Sequence, residues 1–93
     1  MIKKNFGWDK VLEDIKELNC HTVPEYWKNR QSLFQNRELD LKNISDIDSA
    51  GIAFLIHWSK SDPQNKLILK NVPANALKLI NTFNLQPIFE IRN

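Results

Sequence analysis

Apolar residues recur along this chain with a spacing that changes between helical and extended. The pattern from 23 to 35 predicts one amphipathic helix in which Pro24 suits the first turn, with apolar positions at Val23, Tyr26, Trp27, Leu33 and Phe34. Residues Ser49–Lys60 form a second helix candidate. A third opens at Pro73, keeps one face apolar, and closes at Leu85-Gln86-Pro87.

Three segments have the pattern of strands. An extended stretch begins at Leu39, where apolar and polar residues alternate, and ends near Ile44. Leu67-Ile68-Leu69 is a short continuous apolar run, which is typical of a buried strand. Ile88–Ile91 is again extended. The alternation of strands and helices predicts an α/β fold.

The segment Lys10–Leu18 gives a conflicting signal. Its apolar residues are Val11, Leu12, Ile15 and Leu18, and they fall at helical spacing. Local propensity alone therefore predicts a helix, although tertiary context often overrides propensity.

Length and composition indicate one small globular domain spanning residues 1–93. The chain is 42% hydrophobic and 26% charged, which is ordinary globular usage. Its net charge of +2 is spread along the sequence, which argues against nucleic acid as a partner. With Cys20 as the single cysteine and no apolar run of about 18 residues, the expectation is a cytoplasmic protein that does not insert into a membrane.

The stretch 39–58 carries the clearest functional signal. After the strand and a short polar turn, Asp48 and Ser49 arrive where a helix begins and its N–H groups lack partners. Ser49 is predicted to be the N-cap. Ala50 and Gly51 leave the first turn bare, so that another backbone can come close.

The helix after this cap is predicted to have a core face and an outer face. Stepping 100° per residue assigns the core face to Gly51, Ile52, Leu55, Ile56 and Ser59, and the outer face to Ala50, Ala53, Phe54, His57 and Lys60. Alanines and a phenylalanine on an outer face indicate an interaction site. Replacement of Phe54 by Asp is therefore expected to weaken docking at little cost in stability.

Other chemistry finds little support in the residues. Ser49 has a purely structural interpretation as a helix cap, and Asp48 as a turn acid that complements the helix dipole. His57 has no second ligand within helical reach, so no metal is predicted. Cys20 beside His21 lacks a recognisable orienting group and oxyanion site, and no Gly-rich phosphate loop is present, so neither catalysis nor a cofactor is expected. Trp8, Trp27 and Trp58 are expected as core or interface anchors.

The succession of Leu39-Asp40-Leu41, Asp48-Ser49-Ala50-Gly51 and an apolar helix resembles the STAS family of anti-sigma-factor antagonists and their relatives. With Leu55-Ile56-His57 included, it looks most like the small STAS subunit of Mla-type ABC transporters, which move phospholipids between the two membranes of Gram-negative bacteria. The resemblance implies a mixed β-sheet of four to five strands with helices mainly on one face. It also implies that Lys10–Leu18 is a strand.

The resemblance further implies a non-enzymatic interaction subunit. Its partner would be the cytoplasmic ATPase of the transporter, so that the chain is peripheral to the inner membrane through the complex. The docking residues would be Asp48, Ser49, Ala50, Gly51, Ala53, Phe54 and His57. The alternative is an anti-sigma factor antagonist whose partner is a kinase-like anti-sigma factor, with Ser49 as the phosphoacceptor.

Overall fold

A computed structural model describes residues 15–92, which form a small α/β unit. Over this range the strands are β1 (Glu17–Leu18), β2 (Glu38–Asp40), β3 (Asp46–Ile47), β4 (Ile68–Lys70) and β5 (Glu90–Arg92). The α-helices are α1 (Val23–Lys28), α2 (Arg30–Leu33), α3 (Ser49–Lys60) and α4 (Ala74–Thr82), and a short 3₁₀ helix spans Gln86–Ile88.

The strands described form two small parallel sheets. In the smaller one β1 pairs with β3, and Leu18 lies opposite Ile47. In the larger one β4 lies between β2 and β5, and Leu69 is in register with Leu39 on one side and Ile91 on the other. The central position of β4 fits the apolar run Leu67-Ile68-Leu69, because a central strand has a neighbouring strand on both edges.

Helix α3 packs against β1 and β3 of the smaller sheet and supplies buried side chains to the core that also contains residues of the larger sheet. Its side chains Ile52, Leu55 and Trp58 are buried, and they join a single core with Leu18, Leu33, Leu39, Leu41, Ile47, Leu67, Leu69, Ala76, Ile80 and Phe89. The buried hydroxyl of Ser59 donates to the carbonyl oxygen of Ile88 at 2.6 Å and accepts from the N–H of Leu67 at 3.1 Å. This one side chain therefore ties α3 to the start of β4 and to the 3₁₀ helix.

Arg37 holds the C-terminal end of α3. Its guanidinium donates to the carbonyl oxygens of Trp58 and Ser59, both at 3.0 Å, and to that of Asn65 at 2.7 Å. The last carbonyls of a helix have no partner within the helix, and a cation there also complements the helix dipole. Arg37 thus satisfies the end of α3 and fixes the loop that leads to β4.

Phe54 lies in the interior, which corrects its predicted place on the outer face of α3. The side chain is 2% exposed and meets the rings of Tyr26, Trp27, Phe34 and Trp58 at centroid distances of 5.6 to 6.4 Å. The 100° step per residue describes the faces of an isolated helix, whereas α1 and the chain after α2 cover this side of α3. Phe54 is consequently a core residue.

Several element boundaries differ from the expectations. The single helix predicted over 23–35 is two helices, because Asn29 leaves helical geometry with φ −105° and ψ 18°. The strand predicted to run to Ile44 ends at Asp40, and the separate strand β3 was missed because two residues give no readable alternation. Helix α3 begins and ends as predicted, while Pro73 precedes α4 as its N-cap.

The α/β class is confirmed over the residues described. Glu17–Leu18 is a strand, whereas the part of the Lys10–Leu18 prediction before residue 15 lies outside the described residues. The three pairings within 15–92 are all parallel and fall into two separate sheets.

Burial of Phe54 reverses the expected effect of its replacement. Phe54→Ala is expected to lower the free energy of unfolding by about 3–5 kcal/mol, the usual cost of emptying a buried phenylalanine site. Phe54→Asp is expected to cost more, because it also buries a carboxylate. Urea titrations followed by circular dichroism measure both values.

Ala53→Asp is the matched control, because Ala53 is the preceding residue of α3 and is exposed. Its expected cost is within about 0.5–1 kcal/mol. A folded Phe54→Asp variant with wild-type stability would show that this ring is not a core residue in solution.

Candidate functional site

Asp48, and not Ser49, caps the N-terminus of α3. The backbone of Asp48 is extended, with φ −122° and ψ −170°, and Oδ1 accepts from the N–H of Gly51 at 3.0 Å. Its other oxygen, Oδ2, accepts from the N–H of Cys20 at 3.1 Å. The predicted N-cap role of Ser49 is therefore wrong by one residue: Ser49 is the first residue inside the helix.

The charge of Asp48 is stabilised by the N–H groups around it. Desolvation by burial raises the pKa of this carboxyl, but hydrogen bonds from the N–H groups of Gly51, Cys20 and Ala50 outweigh it and leave the pKa below its ordinary value. The positive end of the helix dipole favours the same charged form. Asp48 thus joins the turn after β1 to the first turn of α3.

Gly51 is required by an internal contact. A Cβ atom built at this position would lie 2.1 Å from the carbonyl oxygen of Leu18 and 2.9 Å from its Cβ. The N–H of Asp48 donates to the same carbonyl oxygen at 3.1 Å. The bare first turn admits another backbone, as predicted, but that backbone is the β1 strand of this chain. Gly51 is buried against β1 in this chain.

The residues that do face outward form a strip of small side chains along α3. Ser49, Ala53 and His57 are exposed, and Ala50 beside them is partly buried. Within residues 15–92 the hydroxyl of Ser49 has no hydrogen-bond partner. Four of the seven predicted docking residues therefore share one accessible surface, which is named the α3 strip below.

Trp27 and Arg30 extend the α3 strip at its C-terminal end. Trp27 is 37% exposed and meets the ring of His57 edge-on at a centroid distance of 5.2 Å. The guanidinium carbon of Arg30 lies 4.2 Å from the centre of the Trp27 ring. Trp27 was expected as a core or interface anchor, whereas Arg30 was missed, because its position depends on the break between α1 and α2.

Cys20 and His21 lie in the turn after β1. Cys20 is exposed, and its N–H serves the Asp48 cap. The neighbouring Asn19 is buried, donates to Asp46 at 2.7 Å and accepts from the N–H of His21 at 2.9 Å. This network shapes the turn. Over residues 15–92, no three His, Cys, Asp or Glu side chains are grouped so that they could hold a metal ion.

Comparison with known proteins gives no assignment. Neither a model of a known protein family nor a curated protein sequence matches this chain. Within the described part of the chain, no helix has both the length and the apolar character needed to cross a membrane.

Gly51→Ala is expected to destabilise the protein, although the same change in an open helix would stabilise it by about 0.5–1 kcal/mol. The added methyl group collides with the Leu18 backbone, and overpacking of this kind costs about 1–3 kcal/mol. Ala53→Gly, two residues further along α3 at an exposed position, is the control and should cost about 1 kcal/mol. A rise in the urea midpoint of Gly51→Ala would contradict the close approach.

The Asp48 cap predicts a specific pH dependence. Because the folded-state pKa lies below the unfolded value of about 3.9, this group contributes stability above that pH and loses it as the pH falls through the folded pKa. Asp48→Asn keeps an accepting oxygen but has no such titration. The difference in unfolding free energy between the two proteins should therefore shrink from pH 5 towards pH 2. If the unfolding free energies of the two proteins instead change with pH in parallel, the charge of Asp48 does not stabilise the fold.

Proposed function

We propose that this chain is a non-enzymatic STAS domain that binds the cytoplasmic ATPase subunit of an Mla-type phospholipid-transporting ABC complex. The observation that carries the proposal is the α3 strip, in which Ser49 and Ala53 present small side chains on an exposed helix start. Small residues allow a partner to approach the helix closely. The Asp48 cap keeps that start fixed, so little order has to be gained on binding.

The fold proposed is one STAS domain over residues 1–93, with a mixed β-sheet and helices mainly on one face. The two small parallel sheets of residues 15–92 would be parts of that sheet. Support comes from the succession of β3, Asp48 and α3, which places the cap and the small residues directly after a strand. The Asp48-Ser49-Ala50-Gly51 sequence on which the resemblance depends occupies this junction.

A binding role fits the groups at the site better than catalysis does. Both carboxylate oxygens of Asp48 already accept backbone N–H groups. An activated serine needs an adjacent base, and within the described residues no base is hydrogen-bonded to Ser49. We propose that the chain acts in the cytoplasm, peripheral to the inner membrane through its ATPase partner, without inserting into the membrane and without binding nucleic acid.

The second candidate is an anti-sigma factor antagonist controlled by phosphorylation of Ser49. The exposed and unbonded hydroxyl of Ser49 favours it, because a kinase can reach that oxygen without breaking a contact. A phosphate at the first helical position would gain from the helix dipole but would add negative charge beside Asp48. Partner binding would then depend on the modification.

The test measures, by calorimetry, binding of the full chain to the ATPase subunit of an Mla-type transporter from the same organism. Ala53→Asp is expected to weaken binding by about ten-fold or more while the melting temperature stays near wild type, since Ala53 is exposed. Ser49→Asp should weaken it similarly, and Ser49→Ala should change neither stability nor binding much. Ala74→Asp is the control, because Ala74 is an exposed alanine at the start of another helix.

The protein that is bound and the phosphorylation state of Ser49 distinguish the two candidate functions. Binding of the ATPase, together with an unmodified Ser49 in protein purified from its own cells, supports the transporter subunit. If mass spectra show phosphate on Ser49 and the chain binds a kinase-like anti-sigma factor, the anti-sigma factor antagonist becomes the better assignment. Wild-type ATPase affinity in both Asp variants would exclude the α3 strip as the docking surface.

A further inference from the structure

Arg30 is held in place by Trp27. Its Nη1 donates to the carbonyl oxygen of Trp27 at 2.9 Å, while the guanidinium lies over the indole ring at 4.2 Å. An arginine has five N–H donors, and this contact uses one of them. Among the ion pairs of residues 15–92 none involves Arg30. A guanidinium in a fixed position therefore keeps donors for a carboxylate outside the described chain.

Trp27 offers an apolar contact beside this charge. One side of the ring packs on Phe54 at a centroid distance of 6.3 Å and on His57 at 5.2 Å, yet 37% of the residue stays exposed. Contacts with the buried Phe54 and with the exposed His57 thus fix the position of the ring. Tryptophan and arginine are the residue types most often found to dominate the energy of protein interfaces.

A polar cleft of about 340 Å³ opens next to Arg30, and it is lined by Lys28, Asn29, Arg30, Gln31 and Ser32. The two cations make the cleft positive. Lys28 has Glu25 at 4.0 Å, but both side chains are more than 70% exposed, and such a pair neutralises little of the charge in water. The cleft has the charge and the donors to receive an acidic side chain.

We propose that Trp27 and Arg30 form a recognition site for an acidic segment of the partner protein. An apolar side chain of that segment packs on the exposed part of Trp27, and a neighbouring Asp or Glu pairs with Arg30 at the mouth of the cleft. Charge complementarity selects this occupant, because Arg30 has no acidic partner among residues 15–92 and lies against an exposed apolar ring. The inference rests on the proposed function only in assigning that segment to the protein docked on the α3 strip.

The first experiment compares Arg30→Gln, Arg30→Lys and wild type for binding to the ATPase subunit at several salt concentrations. Arg30→Gln should weaken binding about ten-fold and flatten its salt dependence. Arg30→Lys should restore only part of the affinity, because lysine lacks the paired donors. Lys78→Gln removes one charge from an exposed site on α4 and should have no effect. Equal affinities for Arg30→Gln and wild type, with binding still lost in Ala53→Asp, would overturn this inference and leave the proposed function standing.

The second experiment needs no ATPase. The full chain is titrated with two synthetic helical peptides that share their leucine positions and differ only in glutamate or glutamine at the flanking positions. Nuclear magnetic resonance follows the Arg30 Nε–H and Trp27 indole signals. The glutamate peptide should shift both signals and bind about ten-fold tighter than the glutamine peptide, and Arg30→Gln should abolish the difference.

Equal or absent shifts with the two peptides would show that the site does not select acidic partners, whichever protein binds the α3 strip. Selective binding of the glutamate peptide in a chain that fails to bind the ATPase would instead keep the recognition site and reject the transporter assignment.

Discussion

The first turn of α3 lies so close to β1 that position 51 has no space for a side chain. Leu18 makes this contact. Its carbonyl oxygen accepts a hydrogen bond from the N–H of Asp48 and would lie 2.1 Å from any Cβ at Gly51. With the backbone of α3 held there, Asp48 is the residue that reaches both Gly51 and Cys20. The direction in which Ser49 and Ala53 face follows from this one contact.

The two ends of α3 are fixed by different means. At the start, a carboxylate accepts free N–H groups; at the end, the guanidinium of Arg37 donates to free carbonyls. Between them Phe54 and Trp58 fill the space under α1 and the turn after α2. A helix held at both ends and along one side is a rigid support. A partner that binds its open side loses little free energy to ordering it.

The Asp48-Ser49-Ala50-Gly51 sequence divides into two physical tasks. Asp48 and Gly51 build the junction between β1 and α3. The carboxylate of Asp48 accepts a hydrogen bond within the protein, and the missing side chain of Gly51 leaves space for the backbone of Leu18. Ser49 faces outward without a hydrogen bond in the described chain, and Ala50 lies at the edge of the surface. A partner can therefore contact Ser49 without disturbing the cap. The recognition site proposed at Trp27 and Arg30 would add a positively charged end to this strip.

The sequence by itself determined the α/β class, the bounds of α3 and the region of the candidate site. Helix periodicity and Leu67-Ile68-Leu69 are local signals, and they persist in the fold because the core uses the same periods. Only the tertiary structure decided which side of α3 is free. Phe54 and His57 share a helical face in an isolated helix, but the aromatic rings of neighbouring elements cover the first and leave the second exposed. The roles of Gly51 and Arg30 likewise depend on contacts with Leu18 and Trp27, and such contacts arise only when distant or kinked segments pack together.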